Sequence, residues 1–116
     1  MNVNEASKSS GLSAHTIRYY DKEGLFPFIA RDEHGYRNFN EEDMYWLEFI
    51  KCMRDTHMPL SKLREIATLF NQGTSTIEER RQIFLDHKQD LLEQKRLIEN
   101  GLIKLEEKFK ILDNEV

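Results

Sequence analysis

Apolar side chains recur every seven residues along the last third of the chain, and this pattern restricts the fold more than any other feature. Two heptad positions carry them and form what we call the heptad seam: Ile77, Phe84, Leu91, Ile98, Leu105 and Leu112 in one, and Leu102 and Phe109 in the other. No proline follows residue 76, so the pattern predicts one long helix. The residues before it are too few to cover such a seam, and pairing with a second copy is the usual solution. We therefore expect a homodimer. The alternative is a helix that folds back on its own domain.

Bulk composition limits the class of protein. The chain has 116 residues, a net charge of −4 and a single cysteine, Cys52. These values fit one modest domain in a reducing compartment. No apolar stretch is long enough to span a membrane and the N-terminus lacks a signal-peptide core, so we expect a cytoplasmic protein. Because residues 1–40 carry equal numbers of basic and acidic side chains, any DNA binding must depend on a few well-placed cations.

The first 24 residues have the pattern of a helix-turn-helix. Val3 to Ser9 is predicted as a short helix ended by Gly11, and Ser13 is a suitable N-cap for a second helix from Ala14 to Lys22. Gly24 ends that helix. Two helices joined by a short turn containing glycine are typical of DNA-binding proteins.

The next segment predicts a β-hairpin, or wing, followed by two helices. Turn residues at 32–35 lie between apolar residues over 25–39, and Asn40 can cap a helix over 41–55. Its expected core face is Trp46, Phe49, Ile50 and Met53. Ser61 is the expected cap of the next helix, 62–71, whose expected core face is Leu63, Ile66, Ala67 and Phe70.

The predicted fold is therefore mainly α. A winged helix-turn-helix domain spans 1–73, and a coiled-coil dimerisation helix spans 74–116.

The second helix carries the chemistry of a groove reader. Its spacing projects Thr16, Arg18, Tyr19 and Lys22 from adjacent turns, while Ile17 and part of Tyr20 point towards the core. Arginine can bond guanine O6 and N7 together, and hydroxyl groups suit phosphates. We expect double-stranded DNA as the partner.

Three phrases in this order, TIRYYDKEGLF, GYRNFNEED and MPLSKLREI, resemble the MerR family of bacterial transcriptional regulators. The resemblance implies that Arg18, Tyr19 and Tyr20 contact DNA, that Tyr36 and Arg37 in the wing contact phosphate, and that Arg54 lies near the DNA backbone. It also implies an antiparallel coiled coil and a palindromic promoter operator. By the same resemblance, the bound protein distorts the spacer between promoter elements so that RNA polymerase can act there.

Cys52 is the candidate sensor. The stretch WLEFIKCMR resembles the thiol-based subgroup of these regulators, which respond to aldehydes or nitrosative stress, and Lys51 and Arg54 are neighbours in sequence. A partly exposed thiol near cations reacts more readily as thiolate. A small buried side chain is the alternative. Residues 73–116 contain no cysteine and leave no room for a drug-binding domain, so we expect no metal site, no cofactor and no sensing of metals through paired cysteines.

Two other functions compete with regulation. An architectural, excisionase-like protein would use the winged motif without sensing, and a coiled-coil interaction protein would bind protein instead of DNA. The heptad seam disfavours the first, because excisionases are usually monomeric, and the arginines at 18 and 37 disfavour the second. An enzyme is not expected, since the sequence shows no nucleophile–base pair, metal-ligand spacing or phosphate loop.

Overall fold

The computed structural model describes residues 1–115, which form five α-helices. These are α1 (Val3–Ser10), α2 (Ala14–Lys22), α3 (Glu41–Asp55), α4 (Leu60–Gln72) and α5 (Ile77–Asp113), with a 3-10 turn at Thr74–Thr76 before α5. The chain divides into two compact units, Met1–Ile83 and a second that begins at Phe84. The mainly helical fold predicted from the sequence is confirmed.

The N-terminal unit is built on a single core, and α1 packs against both α2 and α3. Its largest fully buried side chains are Phe26, Phe39, Ile17, Leu25, Leu47, Ile50, Met58 and Leu63. The first turns of α5 belong to this unit because Ile83 packs against the core and the buried Thr76 hydroxyl donates to the Leu69 carbonyl (2.6 Å). The unit therefore extends past the boundary expected at Gly73.

Local signals placed several helix ends correctly. Asn40 forms a capping box at the predicted start of α3. Asn2 forms another at the start of α1, where no cap was predicted. The turn after α3 passes through His57, whose φ of 71° lies in the left-handed region, which histidine enters more readily than most residues. The cap of α4 was predicted wrongly. Pro59 occupies the N-cap position, and Ser61 lies inside the helix.

The core faces of α3 and α4 also differ from the prediction. In α3 the buried apolar residues are Met44, Leu47 and Ile50, while Trp46, Phe49 and Met53 are only partly buried. The Trp46 indole stays at the margin because its N–H donates to the Leu25 carbonyl (3.0 Å). In α4, Leu69 is buried, whereas the predicted Phe70 is exposed. Phe70 packs at the edge instead, with its ring 4.9 Å from that of Phe28 and the Arg80 guanidinium 5.1 Å from its centre.

The predicted hairpin is reduced to a loop with one isolated β-bridge, between Arg31 and Arg37, and residues 1–115 contain no regular strand. The Asp32 N–H donates to the Tyr36 carbonyl (2.7 Å), and Gly35 turns the chain at a φ of 82°. The Asp32 carboxylate accepts hydrogen bonds from two backbone N–H groups of the tip, an Asx turn that shapes it. We keep the name wing for residues 30–38.

Candidate nucleic-acid interface

The turn before α2 sets where that helix starts. Gly11 adopts a φ of 76°, and the Ser13 hydroxyl oxygen accepts the N–H of Thr16 (3.0 Å), as expected of an N-cap. The same hydroxyl donates to the Thr16 Oγ1 (2.8 Å). The Thr16 hydroxyl therefore already accepts a hydrogen bond from the N-cap residue, which limits the other contacts it can form.

One face of α2 is exposed and carries the predicted groove-reading residues. Arg18 and Lys22 are exposed, and Tyr19 is 48% exposed. Neither cation forms an ion pair within residues 1–115. His15 is exposed at the start of the same stripe, since positions 15, 18, 19 and 22 are i, i+3, i+4 and i+7. The sequence analysis did not include His15 in this face.

The opposite face of α2 is buried and includes Tyr20. Ile17 and Tyr20 are 1% and 7% exposed, and Tyr20 belongs to the hydrophobic core. Its ring lies 5.9 Å from that of Tyr19, so the exposed tyrosine rests on the buried one. Its burial, three residues after Ile17, makes the Tyr20 ring part of the face that packs inward. Its contact with DNA stays a prediction.

Two of the other predicted contacts are arginines that already have protein partners. Arg37 is mostly buried, with a side chain 14% exposed, and its guanidinium contacts Asp21 and the Ile29 carbonyl. Arg54 donates to the Met58 carbonyl (3.0 Å) and so supports the turn between α3 and α4. Tyr36, by contrast, is 69% exposed on the wing. The contacts of these three residues with DNA stay predictions.

The acidic residues near the end of α2 have structural partners that the sequence analysis did not foresee. Asp21 accepts a hydrogen bond from Arg37 Nε (3.1 Å). Glu23 pairs with the Arg64 NH2 group (2.8 Å), and Arg64 Nε donates to the Glu23 carbonyl (2.6 Å). The helix is therefore tied to the wing on one side and to α4 on the other. No signal close in sequence could have identified these partners.

Cys52 is exposed on α3. Its neighbours one helical turn away are Glu48 and Asp55, at i−4 and i+3. The two cations expected to activate it point elsewhere, because Lys51 Nζ lies close to Gly11 and Arg54 bonds the α3–α4 turn. The role of Cys52 as a sensor stays a prediction, without the cationic surroundings on which it was based.

The long helix α5 has no buried residue in residues 77–113. Seam residues such as Ile98, Leu102 and Leu105 are more than half exposed. Ion pairs mark the other side of the helix, between Glu93 and Arg96 and between Lys104 and Glu107. The hydrogen bond from Arg96 lowers the pKa of the Glu93 carboxyl. An exposed apolar stripe opposite a charged face is typical of a helix that pairs with another.

Two features are absent from residues 1–115. No group of three or more histidine, cysteine or acidic side chains is arranged to hold a metal ion. No helix is both long enough and apolar enough to cross a membrane.

Comparisons with known proteins identify the family of the N-terminal residues. A family model described as the MerR HTH family regulatory protein matches residues 1–70. The HTH-type transcriptional regulator AdhR of Bacillus subtilis is 44% identical over 93 residues, which are 80% of this chain and 66% of that protein. An uncharacterised HTH-type transcriptional regulator of Haemophilus influenzae is 42% identical over 80 residues, 69% of this chain and 59% of that protein. The chain spans less than two thirds of the length of each of these relatives.

Solved structures match over nearly the whole chain. A crystal structure described as a MerR family transcriptional regulator of Listeria monocytogenes has a TM-score of 0.90 and 35% identity, and the match covers 97% of this chain and 86% of that one. A second structure, of HiNmlR, is described as a MerR family regulator lacking the sensor domain and bound to promoter DNA. Its TM-score is 0.85 and its identity 36%, and the match covers 93% of this chain and 86% of that one.

Proposed function

Because the chain belongs to the MerR family of helix-turn-helix regulatory proteins, a family of transcriptional regulators and not of enzymes, we propose that it binds a palindromic promoter operator as a homodimer. The observation that carries the proposal is the exposed stripe of α2, where Arg18, Tyr19 and Lys22 lie side by side on a helix with a capped start. The likeness to a structure solved on promoter DNA supports it.

Each part of the stripe has a chemical role. Arg18 can donate two parallel hydrogen bonds to a guanine in the major groove, a contact that gives about 1–3 kcal/mol of discrimination against other bases. Tyr19, Lys22 and Thr16 suit the flanking phosphates, and Tyr36 extends the contact from the wing. With a net charge of −4, the protein has little non-specific attraction to DNA. Specific contacts must therefore supply most of the affinity.

The exposed seam of α5 supports the dimer. Two copies joined along α5 in an antiparallel coiled coil would present two α2 helices related by a twofold axis, and these would enter successive major grooves of an inverted repeat. A single excisionase-like domain has no use for such a seam, which is why we favour the regulator over the architectural alternative.

The proposed mechanism is activation by DNA distortion. The dimer binds the spacer of a promoter in the cytoplasm and untwists or kinks it so that RNA polymerase can engage both promoter elements. Deforming a short site by tens of degrees costs about 1–6 kcal/mol, and the contacts of both protomers must offset that cost.

Footprinting of the purified protein on the DNA upstream of its own gene tests the proposal. We expect protection of an inverted repeat within a promoter spacer, with hypersensitive bases at its centre where the duplex is distorted. Equal protection of unrelated DNA would contradict sequence-specific binding. Protection without central hypersensitivity would contradict the distortion mechanism alone.

A further inference from the structure

One carboxylate joins α2 to both arginines that close the wing. Asp21 Oδ1 accepts a hydrogen bond from Arg37 Nε (3.1 Å) and lies 3.1 Å from Arg37 NH2 and 3.9 Å from Arg31 NH2. Arg31 and Arg37 are also the two partners of the single β-bridge in the wing. Asp21 therefore contacts the wing at the one place where its two arms pair.

Apart from Asp21, the N-terminus holds the wing, because the Met1 ammonium group donates to Asn38 Oδ1 (3.1 Å) at the end of the loop. Arg37 NH1 donates to the Ile29 carbonyl (2.5 Å) and Arg31 NH1 to the Gly35 carbonyl (2.7 Å), so both guanidinium groups brace the loop itself. A loop closed by one bridge, with no regular strand, depends on side chains to hold it in place. Asp21 is the α2 side chain that reaches it.

Neither electrostatics nor helix propensity favours an aspartate at position 21 of α2. Asp21 lies one helical turn after Arg18, on a helix that would face phosphates, where a negative charge repels DNA. It also lies in the last turn of α2, where the helix dipole favours a cation. Aspartate is moreover a poorer helix former than alanine. An acid at this place therefore needs a compensating role.

We propose that Asp21 is a positioning residue for DNA binding. It holds the wing at a set angle to α2, so that Tyr36, adjacent to Arg37, meets the DNA backbone while Arg18 reads the groove. Arg37, whose side chain is 14% exposed, then acts mainly on the protein, while the exposed Tyr36 acts on the DNA. This inference rests on the proposed DNA-binding function.

For Asp21→Ala, the proposal and simple electrostatics predict opposite changes in DNA affinity. Replacing Asp21 with alanine removes a negative charge, relieves the dipole and improves helix propensity, all of which predict equal or tighter DNA binding. We expect weaker operator binding instead. Glu33→Ala is the matched control, because it removes an acid that is 88% exposed at the wing tip and has no contact with α2. That variant should bind as well as the unmodified protein or better.

A double-mutant cycle with Tyr36 separates positioning from general destabilisation. The cycle compares the operator affinities of four proteins: the unmodified protein, Asp21→Ala, Tyr36→Phe and the double variant. Circular dichroism verifies that each is folded. Losing a hydrogen bond to a charged phosphate costs about tenfold or more per protomer, so Tyr36→Phe should weaken operator binding by the dimer by about a hundredfold or more. In the Asp21→Ala background the same change should cost less than about threefold, because a displaced wing no longer brings Tyr36 to DNA. Asp21→Glu, which keeps the carboxylate, should restore most of the coupling.

The outcomes distinguish this inference from the proposed function. If the unmodified protein shows no operator preference, the proposed function fails and this inference fails with it. If it binds specifically but Asp21→Ala binds equally well, or Tyr36→Phe costs the same in both backgrounds, only the positioning role is overturned. Should Asp21→Ala not fold, Arg37→Lys takes its place. Arg37 bonds Asp21 and the Ile29 carbonyl through two separate nitrogens, and the single ammonium group of lysine does not reproduce that fork. In the Arg37→Lys background too, Tyr36→Phe should lower operator affinity by less than it does in the unmodified protein. An equal loss of affinity in both backgrounds overturns the proposal.

Discussion

The dimer seam can be tested by comparing two isoleucines of the same helix. Ile98 lies on the seam and is 62% exposed, while Ile103 lies off it, on the side of the Glu93–Arg96 pair, and is 57% exposed. The two positions differ by five residues, or about 140° around the helix. Replacing each with alanine removes the same atoms from the same helix. Neither change damages the helix, since alanine is the better helix former.

The magnitude follows from the exposed fraction. Burying a whole isoleucine side chain contributes about 1.5–3 kcal/mol, so covering the exposed 62% of Ile98 contributes roughly 1–2 kcal/mol in each protomer. Two protomers make about 2–4 kcal/mol, which raises the dimer dissociation constant by a factor of about 30 to 1,000 at roughly 1.4 kcal/mol per tenfold change. Ile103→Ala should change it by less than about threefold.

Sedimentation equilibrium over a range of concentrations measures both dissociation constants. Equal weakening by the two substitutions would mean that the seam is assigned to the wrong side of α5. No weakening by either would mean that α5 does not hold the dimer together. Circular dichroism of both variants must show unchanged helix content for the comparison to count.

Three further predictions follow from the site. Arg18→Ala should lower specific operator affinity by about 1–3 kcal/mol per contact while the protein remains dimeric. Gel-shift titration against operator and random DNA measures this loss. Unchanged specific affinity would mean that another residue reads the groove. Ser13→Ala should lower the free energy of unfolding by about 1 kcal/mol, measured by urea denaturation, because the N–H of Thr16 loses its cap; an unchanged midpoint would contradict the importance of this cap. If Cys52 senses aldehydes, Cys52→Ala should abolish induction of the target promoter by formaldehyde or methylglyoxal in cells, and full induction in that variant would end the hypothesis.

The parts of the fold that could be predicted depend on residues close together in sequence. Gly11 and Ser13 identified the turn and the start of α2, and Asn40 the start of α3, because caps and left-handed turns are local chemistry. The apolar period of seven identified α5 for a similar reason. The exposure of Arg18 and Tyr19 followed from helical spacing once the helix was placed.

The parts that could not be predicted depend on packing between distant segments. Trp46 and Leu47 lie on two neighbouring stripes of α3 that both have helical spacing, and only contacts from the rest of the core decide that Leu47 is buried. Tyr20 is buried for the same reason. The Asp21–Arg37 pair joins residues far apart in sequence, and its geometry requires the folded wing.

The spacing of the two half-sites tests the central claim most directly. Once footprinting has defined the operator, the affinity of the protein is measured for that operator and for a version with five base pairs inserted at its centre. Half a turn of DNA then separates the two half-sites onto opposite faces of the duplex. Two α2 helices fixed by one α5 dimer cannot reach both, so we predict that the inserted site binds no better than a single half-site. Equal affinity for the original and inserted operators would contradict a rigid dimer that presents both α2 helices to one face of the DNA.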